Sequence, residues 1–340
     1  MSAEDFPSLL KRVAAGQTLD AEQSSRAFGL IMAGEVSETR IAALVTAMAV
    51  RKPTIDEIVG AVRAMRGAMK SIEANPYAID LCGTGGDGIG TLNISTACAF
   101  VVAACGVPVA KHGNRNMSSK SGTADCLEAL GVNIELSPSG ASRCLREVGL
   151  CFLFAQAYHP AIKYAAPVRK ELGFRTIFNL IGPLSNPARV RRQLVGVYDP
   201  DWTGPLAEVL GRLGTERAWV VHGDGLDEIA ISGPTRVAEL AEGKVTSREI
   251  VPEDAGLKRS PLAAIAGGTA VENAAALRRL FDSEAGAYRD IVLINSAAAL
   301  IVAGKAQDLK QGAALAAAAI DKGEARAKLD LLVAVSRAAT

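Results

Sequence analysis

Over the first seventy-odd residues the apolar positions recur at helical spacing. Ile41, Leu44, Val45 and Met48 make one stripe, which at 3.6 residues per turn becomes a single buried helix face. Asp20-x-x-Gln23 and Thr54-x-x-Glu57 have capping-box spacing, and Ser37 stands where the cap of a third helix belongs. Asn75-Pro76 closes the series, because the residue before a proline resists helical backbone. From Tyr77 the pattern changes to short apolar runs alternating with helical segments. Strands are predicted at 78–82, 107–110, 132–136, 151–154, 194–198 and 218–222. Helices are predicted between them, among them Thr123–Leu130 closed by Gly131 and Pro138–Val148 opened by Ser137 and closed by Gly149. Such alternation predicts an α/β fold with a mainly parallel sheet and helices on both faces. Residues 235–240 and 245–250, joined through Ala-Glu-Gly-Lys, predict an antiparallel hairpin near a sheet edge. Beyond Pro261 the chain returns to Ala-rich helices.

Composition narrows the class. A chain of 340 residues with 49 % hydrophobic residues has room for about two domains. Its net charge of +1 gives no bulk field for nucleic acid or a membrane, and 4 % aromatics are too few for a base-stacking surface. Six cysteines without a C-x-x-C pair, and only three histidines, read as reduced buried thiols and not as a zinc site. Residues 1–6 carry two acidic residues and no apolar run, and the longest apolar run, 97–110, is broken by Gly106 and Pro108. Neither a secretion signal nor a membrane span is expected, and the expected place is the cytoplasm.

Three loops carry chemistry. The first, Asp80-Leu-Cys-Gly-Thr-Gly-Gly-Asp-Gly-Ile-Gly-Thr-Leu-Asn-Ile-Ser-Thr96, follows a strand and opens a helix. Its glycines let backbone N–H groups approach an anion, and the helix N-terminus adds positive partial charge. Gly83-x-Gly85-x-x-Gly88 also fits a dinucleotide fingerprint, but that reading needs an acidic residue at the end of the next strand. The chain has Lys111-His112 there. The second loop, Lys111-His-Gly-Asn-Arg-Asn-Met-Ser-Ser119, places two cations and several donors beside the first, as a phosphate or pyrophosphate requires. The third, Val220-Val-His-Gly-Asp-Gly-Leu-Asp-Glu228, ends in a carboxylate pair whose hard oxygens suit Mg2+ bridging to substrate phosphates. Further on, Arg169 is a candidate clamp for a carboxylate, and Arg175 is expected in a structural ion pair.

Together these motifs resemble the anthranilate phosphoribosyltransferases. That family carries GTGGD, N-x-S-T, KHGNR and a glycine turn with Asp-Glu, which stand here as Gly83 to Asp87, Asn93 to Thr96, Lys111 to Arg115 and Asp227-Glu228. The resemblance covers nearly the whole chain. It implies transfer of the phosphoribosyl group of 5-phosphoribosyl-1-pyrophosphate (PRPP) to the amine of anthranilate in tryptophan biosynthesis, with pyrophosphate released. It also implies a helical domain, 1–74 with part of 160–190, hinged to an α/β domain, 75–340, and a homodimer contacting through the helical domains.

Carried over by motif, Gly83, Gly86, Asp87, Thr91, Asn93, Ile94, Ser95, Thr96, Lys111, His112, Gly113, Asn114, Arg115, Asn116, Met117, Ser118, Ser119 and Thr123 would meet PRPP. Ser95, Asp227 and Glu228 would hold Mg2+, two ions per site, and Gly83, His112, Asn114, His159 and Arg169 would meet anthranilate. Lys111, His112, Asp227 and Glu228 would take part in the chemistry. Asn116-Met117 departs from the commoner Ser-Val, and Thr123 from the usual Ser or Ala. Two alternatives share the fold: a pyrimidine nucleoside phosphorylase, whose Lys-His before the glycine loop is replaced here by Leu81-Cys82, and a nucleic-acid-binding relative, which should lack the Asp227-Glu228 pair.

Overall fold

The computed structural model of the chain describes residues 4–86, 88–115 and 121–339. It opens with four helices, α1 (Phe6–Ala14), α2 (Ala21–Met32), α3 (Glu38–Arg51) and α4 (Ile55–Ala68). Both capping boxes form. Asp20 accepts from the N–H of Gln23 at 2.8 Å while Gln23 accepts from that of Asp20, and Thr54 and Glu57 exchange the same pair of bonds. Ser37 precedes α3 but makes no side-chain cap bond. Ile41, Leu44, Val45 and Met48 are buried, as their spacing predicts.

Seven strands follow among the described residues: β1 (Ile79–Gly83), β2 (Val109–Gly113), β3 (Leu150–Phe154), β4 (Arg192–Gly196), β5 (Arg217–Gly223), β6 (Thr235–Ala241) and β7 (Lys244–Ile250). They form one sheet in the order β3-β2-β1-β4-β5-β6-β7. The first five are parallel and the last two antiparallel. β6 and β7 are joined across Glu242 and Gly243, both at positive φ, a pairing that matches the twist of a two-residue hairpin.

Segment 132–136 forms no strand. Val132, Ile134 and Leu136 are buried while Asn133 and Glu135 face outward. Alternation reports a half-buried segment, but a ladder also needs a partner strand, and here Asn133 bonds to Ser336 instead.

The remaining helices are α5 (Ile94–Ala104), α6 (Thr123–Leu130), α7 (Pro138–Val148), α8 (Ala155–Tyr158), α9 (Ala166–Leu172), α10 (Ile177–Ile181), α11 (Thr203–Arg212), α12 (Ala270–Phe281), α13 (Ala287–Val302), α14 (Leu309–Asp321) and α15 (Glu324–Ala338). Two apolar cores lie on opposite faces of the sheet. Leu194, Trp219 and Val221 point into one, which is covered by α5, α12, α13, α14 and α15. Val195, Ala218 and Val220 point into the other, which is shared with α1–α4, α10 and α11. The six cysteines are free thiols, and no described helix is long and apolar enough to cross a membrane.

β1 is flanked by β2 on one side and β4 on the other, so the chain leaves it in both directions. A crevice opens at the carboxyl ends of strands at such a point. The described parts of all three predicted loops converge there.

Candidate active site

β1 ends at Gly83 and runs into the glycine loop, where Gly85, Gly86, Gly88 and Gly90 all have positive φ. Side chains resist that backbone, which is why the loop is glycine-rich. The loop ends at Asn93, and α5 begins beside it. Gly83, Gly86, Thr91, Asn93, Ile94 and Ser95 all line a cavity of about 310 Å3. From β2 come Lys111, His112 and Gly113, from the residues just after it Asn114 and Arg115, and from the start of α6 Thr123. Thr96 differs from expectation. It is buried behind the wall, with its hydroxyl 3.4 Å from that of Thr123. Asp87, Asn116, Met117, Ser118 and Ser119 lie outside the described residues.

A buried polar network stiffens the floor. Asp80 is 0 % exposed and accepts from the His112 N–H (3.0 Å) and the Asn186 amide (2.7 Å), which also donates to the Ala110 carbonyl (2.8 Å). Burial pushes the Asp80 carboxyl up, and the Lys111 charge and these hydrogen bonds act against that rise. Lys111 is 3 % exposed and donates to the Leu81 carbonyl (2.5 Å) and the Ser95 hydroxyl (3.1 Å). Its ammonium is therefore fixed at the start of α5.

The acidic turn after β5 closes the opposite wall. Asp227 Oδ2 accepts from the Gly85 N–H (2.7 Å), and Glu228 Oε1 from the Ser95 N–H (3.2 Å). The approach is so close that a Cβ on Gly83 would lie 2.2 Å from Asp227 Oδ2, and one on Gly196 1.5 Å from the Asp227 carbonyl oxygen. Carboxylate, carboxylate and hydroxyl thus share one wall. These hard oxygens suit a divalent cation such as Mg2+, which takes few protein ligands and completes its shell with water and phosphate.

A second cavity of about 180 Å3 shares Gly83, His112, Asn114, Arg169 and Asn179 with the first and is walled by Met65, Ile162, Phe178 and Pro183. His112 and His159 meet there with ring centroids 5.1 Å apart. Burial holds both imidazoles neutral, His159 with its pKa pushed down to about 4 and His112 well below its usual range, helped by His159 and Lys111. Arg169 lies over the Phe178 ring at 5.7 Å and makes no ion pair among the described residues. The residue lines both cavities.

Two arginines depart from expectation. Arg175 forms no ion pair among the described residues. It stacks on Tyr198 at 4.2 Å and donates to the Gly86 carbonyl, tying the glycine loop to the segment before α10. Arg115 lines the first cavity, but Asp125 (2.8 Å) and Glu128 take its guanidinium, which lies over Phe154. Among the described residues, Lys111 is the cation set deepest in that cavity. Two asparagines escape the sequence motifs. Asn179 had a signal, since Thr176-x-x-Asn179 forms a capping pair (3.0 Å), but Asn186 stands in an irregular segment with no local pattern.

The geometry thus joins an anion cradle, a hard-oxygen wall and a small ring-sized pocket with a guanidinium. The model of the glycosyl transferase family's helical bundle domain matches residues 7–69, and that of its a/b domain matches residues 75–326. An anthranilate phosphoribosyltransferase of Rhodopseudomonas palustris (strain HaA2) is 54 % identical over 336 residues, 98 % of this chain and 99 % of that one. The crystal structure of the anthranilate phosphoribosyltransferase of Thermus thermophilus superposes with a TM-score of 0.93 at 45 % identity, covering 97 % of this chain and 99 % of that one. The enzyme of Saccharomyces cerevisiae, in complex with PRPP and Mg, superposes at 0.89 with 25 % identity, covering 98 % of both chains. Site geometry, two family models and near-full-length identity agree: the chain belongs to the anthranilate phosphoribosyltransferase family.

Proposed function

We propose that this chain transfers the phosphoribosyl group of PRPP to the amine of anthranilate, forming the C1–N bond as the C1–O bond to pyrophosphate breaks. The observation that carries the reading is the pair of adjoining cavities, one built for a polyphosphate and one for a flat acid, meeting at Gly83, His112 and Asn114. As that C1–O bond breaks, positive charge develops on the ribose and negative charge on the leaving pyrophosphate. The loop N–H groups and Lys111 face the second charge from fixed positions and need no reorganisation. Ser95, Asp227 and Glu228 would hold Mg2+, two ions by the family resemblance, and when bound it neutralises charge on the pyrophosphate.

Arg169 binds the anthranilate carboxylate, and Phe178 and Pro183 flank the ring. The incoming amine must lose a proton. His112 Nε2 is buried without a protein partner among the described residues, and we assign it as the acceptor. The anthranilate amine is a weak base, so a strong general base is unnecessary. Most of the rate then comes from positioning. The helical part, 1–74 with part of 160–190, would close over the α/β part, 75–340, and shield PRPP from water. A homodimer through the helical part, implied by the family resemblance, completes the proposal. We place this activity in the cytoplasm. The test is direct: anthranilate fluorescence should fall on adding PRPP and Mg2+, and no fall beside an active control enzyme overturns the reading.

A further inference from the structure

A polar chain behind the glycine loop ties the phosphate cavity to the C-terminal helices. Asn273, near the start of α12, is 1 % exposed and uses both ends of its amide. Its Oδ1 accepts from the Gly268 N–H (2.8 Å), and its Nδ2 donates to Asn93 Oδ1 (2.9 Å). The Tyr288 hydroxyl donates to the Asn93 carbonyl (3.1 Å). Backbone bonds run alongside, from the Gly267 N–H to the Gly90 carbonyl (2.8 Å) and from the Leu92 N–H to the Ile265 carbonyl (2.9 Å). Asn93 is the N-cap residue of α5, yet its side chain makes no cap bond.

The first member fixes the direction of this chain. A backbone N–H only donates, so Asn273 must turn its oxygen to Gly268 and its nitrogen to Asn93. Asn93 must meet that nitrogen with its own oxygen. Its amide nitrogen is then left for the cavity it lines. A reversed amide would aim a carbonyl oxygen at a phosphate instead.

We propose that Asn273 is a positioning residue for PRPP, holding Asn93 so that it presents an N–H donor to the substrate. This rests on the phosphoribosyl reading above. Asn273 touches no substrate, and it acts through the orientation of one amide.

Asn273→Asp separates this role from simple packing. It keeps the size and the bond from Gly268, but at pH 8 its second oxygen is an acceptor, which turns the Asn93 amide the wrong way round. Asn273→Ala loses more packing yet leaves Asn93 able to face either way. Calorimetric titration with PRPP and Mg2+ should rank the dissociation constants wild type, then Ala, then Asp, with Asp weakened about tenfold or more. The KM for anthranilate should stay within about twofold. A packing role ranks Ala worse than Asp or raises both KM values together, and either result overturns the proposal.

Should Asn273→Asp fail to fold, Asn93→Asp carries the test. Its carboxylate still accepts from Asn273 but has no donor for phosphate, so PRPP affinity should fall about tenfold. Unchanged affinity overturns the proposal. A wild-type protein that neither binds PRPP nor consumes anthranilate overturns the phosphoribosyl reading and this inference with it. An active wild type beside an unaltered Asn273→Asp overturns the inference alone.

Discussion

His112 and His159 lie side by side inside the protein, and burial penalises a charge on either ring. For His159 the pKa falls from 6.5 to about 4 on folding. Between those values the unfolded chain binds more protons than the folded one, so stability is complete above pH 6.5 and is lost as pH falls toward 4. The loss by pH 4.5 is about 2.5 kcal/mol. Urea unfolding at pH 7.5 and pH 4.5 should show it, and His159→Gln should remove this share of the difference while leaving the part that His112 contributes. Arg169 makes a separable prediction. Arg169→Ala should raise the anthranilate KM about 10- to 100-fold and leave that of PRPP nearly unchanged, since the proposed carboxylate clamp is all that is lost. An unchanged anthranilate KM would return Arg169 to a packing role on Phe178. Asp227→Asn with Glu228→Gln should cut Mg2+-dependent turnover on the order of 100-fold or more, read from steady-state rates at saturating Mg2+.

At the scale of elements, the approach of the acidic turn to β1 and β4 makes two glycines answerable to different atoms. A methyl on Gly83 meets the Asp227 carboxylate, which can swing aside, whereas a methyl on Gly196 meets the Asp227 backbone carbonyl, which cannot. Gly83→Ala should therefore fold near wild-type stability but lose turnover, because the displaced carboxylate is the one that faces the glycine loop. Gly196→Ala should cost about 3 kcal/mol of stability, measured by thermal or urea unfolding.

This contrast also marks what was legible in the sequence. Short-range chemistry was readable: both capping boxes, the stripe on α3, the Glu242-Gly243 hairpin and the glycine loop before α5 are written in neighbouring residues. Pairings across long separations were not. Residues 132–136 had the alternation of a strand but no partner, and Asp80 meets Asn186 across more than a hundred residues with no motif to announce it. Arg175 was assigned a carboxylate and found an aromatic ring and a carbonyl, because a planar guanidinium serves either kind of partner.

At the scale of the whole molecule, the ring pocket is reached by the packing of the N-terminal helices. Phe28 on α2 packs edge-on to Phe178 at 5.7 Å, and Phe178 in turn lies under Arg169. Phe28→Ala should destabilise the protein by about 3 to 5 kcal/mol and also raise the anthranilate KM several-fold, although Phe28 is absent from both cavity walls. Stability lost without any change in that KM would show that the stack does not carry the effect.

The sheet standing between two cores sets a timetable for synthesis. α1–α4 are complete by Ala68, yet the surfaces that share their core come from Phe178, Val195, Leu206, Val220 and Leu240. A nascent chain therefore carries an uncovered apolar face while about a hundred further residues are translated before Ala165 and Val168 begin to cover it. Hydrophobic faces exposed in this way are what holdase chaperones bind. The first helices off the ribosome are among the last to find their permanent cover, and a message truncated before β4 yields a fragment that lacks the part supplied by the sheet and α11.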